Sequence, residues 1–433
     1  MNVKRRYLLV TWDGGGVVPP ELSIARKLIA RGHSVHVLGD PTLEPEVAAA
    51  GATFGPWTSA PHRTSRDRSA DILRDYAFTN KLKYFDEMLR EFLATPIPRW
   101  LNDTLRELKS HPADVVLADH MLPAALVAAE KLGLPGVALI PNVYTIPTPG
   151  IPPFGLGFMP ATGPLGRLRD AAMRAISNRL FAKALPPLNA VRREHGLEEV
   201  ASLYDQTLKA NRVLVLTSPV FDFTSPAVPS HVRWVGAQLD DPTWSAPWQS
   251  PWPRGDSRPL VLVGLSSTFQ DQVPLLNRVV EALSALPVRA LVTLGPAVKP
   301  DEVRAADNVV VVPSAPHGEV LREASLLITH CGHGTALKGL SAGVPLVCIP
   351  MGRDQPDTAA RIVHRGAGVR LKAQAPADRI RAAVQQVLAG SAYREAAKAL
   401  GDRLVKGEGC DDPVAVLEAV ATERGASTAL AAG

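Results

Sequence analysis

Residues 325–362 read SLLITHCGHGTALKGLSAGVPLVCIPMGRDQPDTAARI, and their order decides the fold. An apolar run of strand length, 326–329, leads straight into His330, a glycine-spaced turn and a helical pattern beginning near Thr335. A second apolar run, 346–349, ends at Pro350 and is followed by Asp354, Gln355 and another helical pattern. Strand, turn and helix repeated in this way are the mark of a parallel sheet built from βαβ units. The first turn also carries chemistry. A helix N-terminus offers free N–H groups and a positive dipole end, and glycines let the backbone approach an anion closely, so the turn suits a diphosphate. His330 adds a donor, and the Thr335 hydroxyl can meet a phosphate oxygen while capping the helix. Asp354 and Gln355 supply the adjacent acceptor and donor groups that sugar hydroxyls take. Blander readings stand beside these: a strand-end histidine satisfied within a core, and Asp354 as a plain helix N-cap.

Working outward, the same alternation runs through two blocks. The second has strand candidates at 260–265, 290–294, 309–312, 326–329 and 346–349. The first has them at 7–12, 35–38, 115–119, 137–140 and 212–217, with a helix over 21–30 that gathers Leu22, Ala25, Leu28 and Ile29 on one face. Between them, about 223–258 is crowded with proline, serine and tryptophan and reads as a linker. The expected organisation is therefore α/β: a first domain over 1–222, a linker over 223–258 and a second domain over 259–433 whose last helix packs back on the first. Two doubly wound domains facing each other across a cleft is the simplest architecture. Two irregular stretches follow strand ends of the first block, where open α/β sheets place their ligands. One, 60–98, mixes arginines with His62, Tyr76 and Phe85; the other, 145–164, follows Tyr144, contains Phe154 and is apolar and proline-rich. Packed cap helices and a surface loop are the plain alternative.

Composition removes several classes. The chain has 433 residues, 46% hydrophobic and 21% charged, which excludes disorder, collagen and coiled coil. Its net charge of +5 is small for this length and scattered, so no nucleic-acid partner is expected. Cys331, Cys348 and Cys410 form neither a disulfide framework nor a zinc motif. The opening apolar run, YLLV, is too short for a signal peptide, and no stretch approaches the ~20 apolar residues of a membrane span. A cytoplasmic protein without integral membrane contact is expected.

The motif His330-Cys331-Gly332-His333-Gly334-Thr335, then Ala342-Gly343-Val344-Pro345 and Asp354-Gln355, resembles the donor signature of family 1 glycosyltransferases of the GT-B fold, especially bacterial enzymes that decorate natural products. The resemblance covers nearly the whole chain. It implies two Rossmann-like domains and an inverting transfer from a nucleotide-sugar to an apolar acceptor, with no cofactor and no metal; a homodimer remains open. It further implies that His330, Gly332, Gly334 and Thr335 bind the diphosphate, that His333 belongs to the donor site with them, that Asp354 and Gln355 hold the sugar, and that Ser266, Ser267, Pro316 and His317 line the nucleotide. Ser314 stands where plant members stack a tryptophan on uracil, and Lys338 where they accept ribose hydrogen bonds through a glutamate. Lysine has no acceptor, which favours a deoxyribose, hence dTDP over UDP.

In the first block the family's catalytic histidine is replaced by Val17, three residues before Pro20. Valine takes no proton. Three accounts follow: Asp119, at the position of the family's histidine-orienting acid, or Asp13 acts as base; His120 or His62 substitutes; or the acceptor is acidic enough to need little help, as a phenol near ~10 would be. The acceptor is expected near Val17, His62, Tyr76, Phe85, Tyr144 and Phe154. A catalytically impaired auxiliary protein that binds the nucleotide-sugar is the alternative from another class, and an epimerase on the same fold a further one.

Overall fold

The computed structural model describes residues 3–78, 80–240 and 248–431. Thirteen strands form two wholly parallel sheets among these residues. The first holds β1 (Arg6–Val10), β2 (Ser34–Gly39), β3 (Thr53–Pro56), β4 (Val115–Asp119), β5 (Gly136–Ile140), β6 (Arg212–Val215) and β7 (Val232–Trp234), in the order β3-β2-β1-β4-β5-β6-β7. The second holds β8 (Leu260–Gly264), β9 (Arg289–Thr293), β10 (Val309–Val312), β11 (Ala324–Thr329), β12 (Leu346–Cys348) and β13 (Gly368–Arg370), in the order β10-β9-β8-β11-β12-β13. Both are doubly wound α/β sheets.

The strands are short and apolar on both faces because both faces are covered. In β1, Leu8 and Val10 join one core while Tyr7 and Leu9 join the core on the opposite side. Such double burial is the rule for parallel sheets. The strand order reverses between β1 and β4 and between β8 and β11. Crevices open outside the carboxyl ends of the strands at such switch points. Asp13 follows β1 and Asp119 ends β4; Ser266 follows β8 and His330 follows β11. These four residues therefore stand at the two switch points.

β7 lies inside the stretch read as linker. Backbone pairing explains the difference: Val213–Val215 of β6 pair with Val232–Trp234 and so extend the sheet, whatever the local proline content. Residues 241–247 of the expected linker lie outside the described residues. The C-terminal helix Pro413–Ala431 crosses back to the first sheet, where Val414, Leu417, Val420 and Ala421 pack among Leu9, Leu22 and Leu28.

Between the sheets, Asp222 and Arg361 form an ion pair of 2.7 Å with almost no exposure of either side chain. Asp222 also accepts hydrogen bonds from the Tyr144 amide (2.9 Å) and the Trp234 indole (3.1 Å), while Arg361 stacks 4.4 Å above the Phe223 ring. Removing one partner leaves an uncompensated buried charge, which costs about 3–5 kcal/mol. Arg361→Ala should lower unfolding stability by that order in urea titrations, and should do so more than Arg233→Ala, whose pair with Asp411 is half-exposed.

Candidate active site

The second sheet builds a cradle at its switch point. His330 is buried; its ring donates to the Gly264 carbonyl and approaches Thr329 Oγ1 at 3.4 Å. A Cβ on Gly332 would lie 2.8 Å from that ring, so glycine is needed for the chain to turn there. The helix His333–Ser341 starts two residues before the expected position, with Gly332 rather than Thr335 at its N-cap. Thr335 therefore sits within the first turn, and the N–H groups of residues 333–335 point out of the helix end. Burial, with Arg353 nearby, depresses His330 to about 4, and burial does the same for His333. Both imidazoles are neutral at pH 7, so His330 serves as a neutral hydrogen-bonding group. On the neighbouring turn His317 Nε2 lies 2.9 Å from Thr293 Oγ1, and Pro316 is the N-cap of His317–Leu321. Ser266 Oγ is 3.1 Å from Thr268 Oγ1, and Ser267 is exposed.

Beside this cradle the first sheet meets the second. Asp354 is the N-cap residue of Gln355–His364 with no capping bond from its side chain; instead it bonds Asn142, from the loop after β5, and burial raises its carboxyl. Arg353, in left-handed conformation at φ 57, places its guanidinium 3.0 and 3.1 Å from the Asp75 carboxylate and 2.8 Å from Thr268 Oγ1. Gln270 donates to Asp75 (2.9 Å) and accepts from Gln355 (2.7 Å), whose own oxygen takes the amides of Met351 and Gly352. Gln355 thus shapes the loop with all of these groups engaged. Gly15, at φ 74, also reaches the second sheet: a Cβ there would fall 2.7 Å from the Thr268 methyl.

Across the crevice stand Asp13 and Asp119. Asp13 accepts from Thr42 Oγ1 (2.7 Å), the Gly15 amide (3.3 Å) and Arg66 (3.3 Å). Asp119 is fully buried and accepts the Met121 amide at 2.7 Å, and His120 Nδ1 lies 3.4 Å from it. Its other neighbour is Glu21, one helical turn after Val17. Glu21 is fully buried, takes the Thr11 hydroxyl and is pushed well above the carboxylate range by burial and by Asp119. A proton on Glu21 is what lets the two carboxyls lie together.

Residues 277–415 match the C-terminal domain described as erythromycin biosynthesis protein CIII-like. Over 421 residues the chain is 28% identical to 4'-demethylrebeccamycin synthase of Lentzea aerocolonigenes, covering 95% of this chain and 99% of that relative. Its fold matches the crystal structure of the glycotransferase of kitacinnamycin with a TM-score of 0.75 at 24% identity, over 97% of this chain and 100% of the other. The glycosyltransferase VinC, solved in complex with dTDP, matches with a TM-score of 0.66 at 19% identity, over 96% and 100%. The chain has the fold of the GT-B glycosyltransferases.

In this glycosyltransferase the six residues assigned to the acceptor do not share one surface. Tyr144 is buried in the core, its hydroxyl 3.1 Å from Thr148 and its ring beside Trp234. Phe85 packs edge-on to Phe181, and Tyr76 packs edge-on to Phe269 of the other sheet. His62 is held by the Ala60 carbonyl at 2.8 Å, Val17 is half-buried, and Phe154 is exposed. Within residues 60–98 two 3-10 turns, Arg68–Ala70 and Asp75–Ala77, precede the helix Lys81–Met88. The loop over 145–164 leans on the second sheet through Gly155, whose amide donates to Asp357 at 2.7 Å.

Sequence reasoning missed Asn142, Asp75, Arg353 and Glu21. Asn142 was detectable as a polar residue just beyond a strand end; the others act through pairings between distant segments. No described helix is long and apolar enough to cross a membrane.

Because His330 and His333 stay neutral to about pH 4, these two groups bind fewer protons in the folded protein than in the unfolded chain between pH 4 and ~6.5. Stability from these groups is therefore complete above ~6.5 and is lost as pH falls towards 4. Urea unfolding of the parent and of His333→Asn across this window should isolate one such contribution: the parent should lose stability relative to the variant as pH falls from ~6.5 towards 4.

Proposed function

We propose that this glycosyltransferase transfers a sugar, with inversion, from a dTDP-sugar in preference to a UDP-sugar to an acidic hydroxyl of an apolar natural product. The observation that carries the reading is the cradle of neutral His330 and the Gly332–Thr335 helix start, with Asp354 one strand away, set opposite a crevice where Asp13 is held by hydrogen bonds and Asp119 is buried beside Glu21. The similarity to 4'-demethylrebeccamycin synthase supports a natural-product acceptor, and the dTDP bound to the structurally similar VinC supports the nucleotide.

The acceptor oxygen attacks C1 from the face opposite the diphosphate. As the new C1–O bond forms, the bond to the phosphate oxygen breaks, and the leaving diphosphate is stabilised by the helix end and His330. Asp354, with Asn142 behind it, orients the sugar, and Gln355 holds the loop that presents it. Ser266, Ser267, Pro316 and His317 flank the nucleoside. The acceptor proton is the distinctive problem. Asp13 is engaged by an arginine, a threonine and a backbone amide, and Asp119 is shut in with Glu21. An acceptor of pKa near ~10 loses its proton to solvent or to His120 without a dedicated carboxylate. No metal is needed for this step, since dipole and neutral donors meet the departing charge.

Mass spectrometry of the protein with dTDP- and UDP-hexoses and a panel of phenols and alcohols tests this reading. A hexose mass gain on phenols, greater with dTDP donors, is expected; a gain confined to alcohols would overturn it. Calorimetric titration should place dTDP ahead of UDP. Asp119→Asn should keep most of its turnover on phenols, where loss of a true general base would cost ~10²–10⁴-fold. Val17→His should raise turnover on alcohols.

A further inference from the structure

On the first sheet, towards the amino ends of its strands and away from the crevice, three potential ligand atoms converge. His36, in β2, lies with Nε2 2.7 Å from Glu107 Oε1; His111, just past the end of the helix Ile97–Ser110, lies with Nδ1 3.0 Å from the same oxygen. The three ligand atoms fall within 4.8 Å of one another, and the two imidazoles stack at 4.0 Å and 13°. Glu107 is nearly buried, and among the described residues its ion-pair partners are these two histidines, with no lysine or arginine. Gly55, at the β3 edge, makes room: a Cβ there would lie 2.4 Å from Glu107 Oε1 and 3.0 Å from His36 Nε2.

We infer that His36, Glu107 and His111 form a zinc-class divalent metal site that clamps the end of the helix Ile97–Ser110 to strands β2 and β3. Two imidazole nitrogens and one carboxylate oxygen are a borderline donor set suited to Zn²⁺. Ligand bonds of ~2.0–2.2 Å to a tetrahedral ion separate ligand atoms by ~3.3 Å, so the cluster need open only slightly. His36 Nδ1 is 2.7 Å from Thr53 Oγ1, the kind of outer hydrogen bond that fixes a ligating imidazole's tautomer and direction. His111 is half-exposed, which gives an ion an entry path and leaves a fourth position for water. The role is structural: Glu107 and His111, one turn apart, bring the helix end, and His36 brings the sheet. It is independent of glycosyl transfer.

Untagged, chelator-treated protein should be titrated with Co²⁺, read by its visible ligand-field absorption, and with Zn²⁺, read by thermal unfolding. One equivalent of tetrahedral Co²⁺ and a raised midpoint with Zn²⁺ are expected. His111→Ala, which removes an exposed side chain, should lose both signals while its metal-free melting curve matches the parent. Thr53→Val should keep the stoichiometry and weaken affinity by ~10–100-fold. Absence of the band and of the thermal shift, or their persistence in His111→Ala, would overturn the assignment and leave a carboxylate shared by two histidines.

Discussion

Arg361 reaches from the second sheet into the space under the first and there meets Asp222, with water excluded from both. A charge so placed is tolerable only while its partner and hydrogen bonds persist, so the positions of Tyr144, Trp234 and Phe223 are tied to it. Arg365 adds a bond to the Asp222 carbonyl at 3.0 Å. The same helix that carries Arg361 begins at Asp354–Gln355, and the loop after β5 that donates through Tyr144 also carries Asn142. The pair therefore sets the register between Asp354 of one sheet and the strand ends of the other. Phe221, beside Asp222, packs on His333, which extends this anchoring to the helix start of the cradle.

The two sheets and their order of elements were legible because parallel strands buried on both faces are written as short apolar runs, and because the helix starts they feed are marked by glycine. The motif around His330 was legible for the same reason: its residues are consecutive, and a switch point gathers them. What could not be read is whatever depends on pairing across the crevice. Nothing near Asp75 indicates that its carboxylate meets Arg353, 278 residues further on. Strand β7 escaped notice because three residues among prolines have no periodicity of their own; their partner strand supplies it. Tyr144 and Phe85 were aromatic in the right stretches, yet each side chain points into a core.

Valine at position 17 shapes the electrostatics beneath it. An acid that orients an imidazole needs a positive or donating neighbour; with valine above, Asp119 instead lies against Glu21, the Met121 amide and His120. The charge of one carboxylate is thus shared over a protonated partner and a backbone donor. Burial holds that arrangement in place, and the crevice floor becomes a relay of neutral and singly charged groups.

The return of the C-terminal helix to the first sheet has a mechanical consequence. The chain leaves the first unit after β7, builds the whole second sheet, and comes home at Pro413, where Val414 and Leu417 are sealed into the first core. The second unit is consequently an insertion, joined to its host by two covalent crossings instead of one. Two crossings define a line, and rotation about that line is the motion that stretches neither. Any displacement of one unit against the other is thereby held to fewer directions than a single tether would allow.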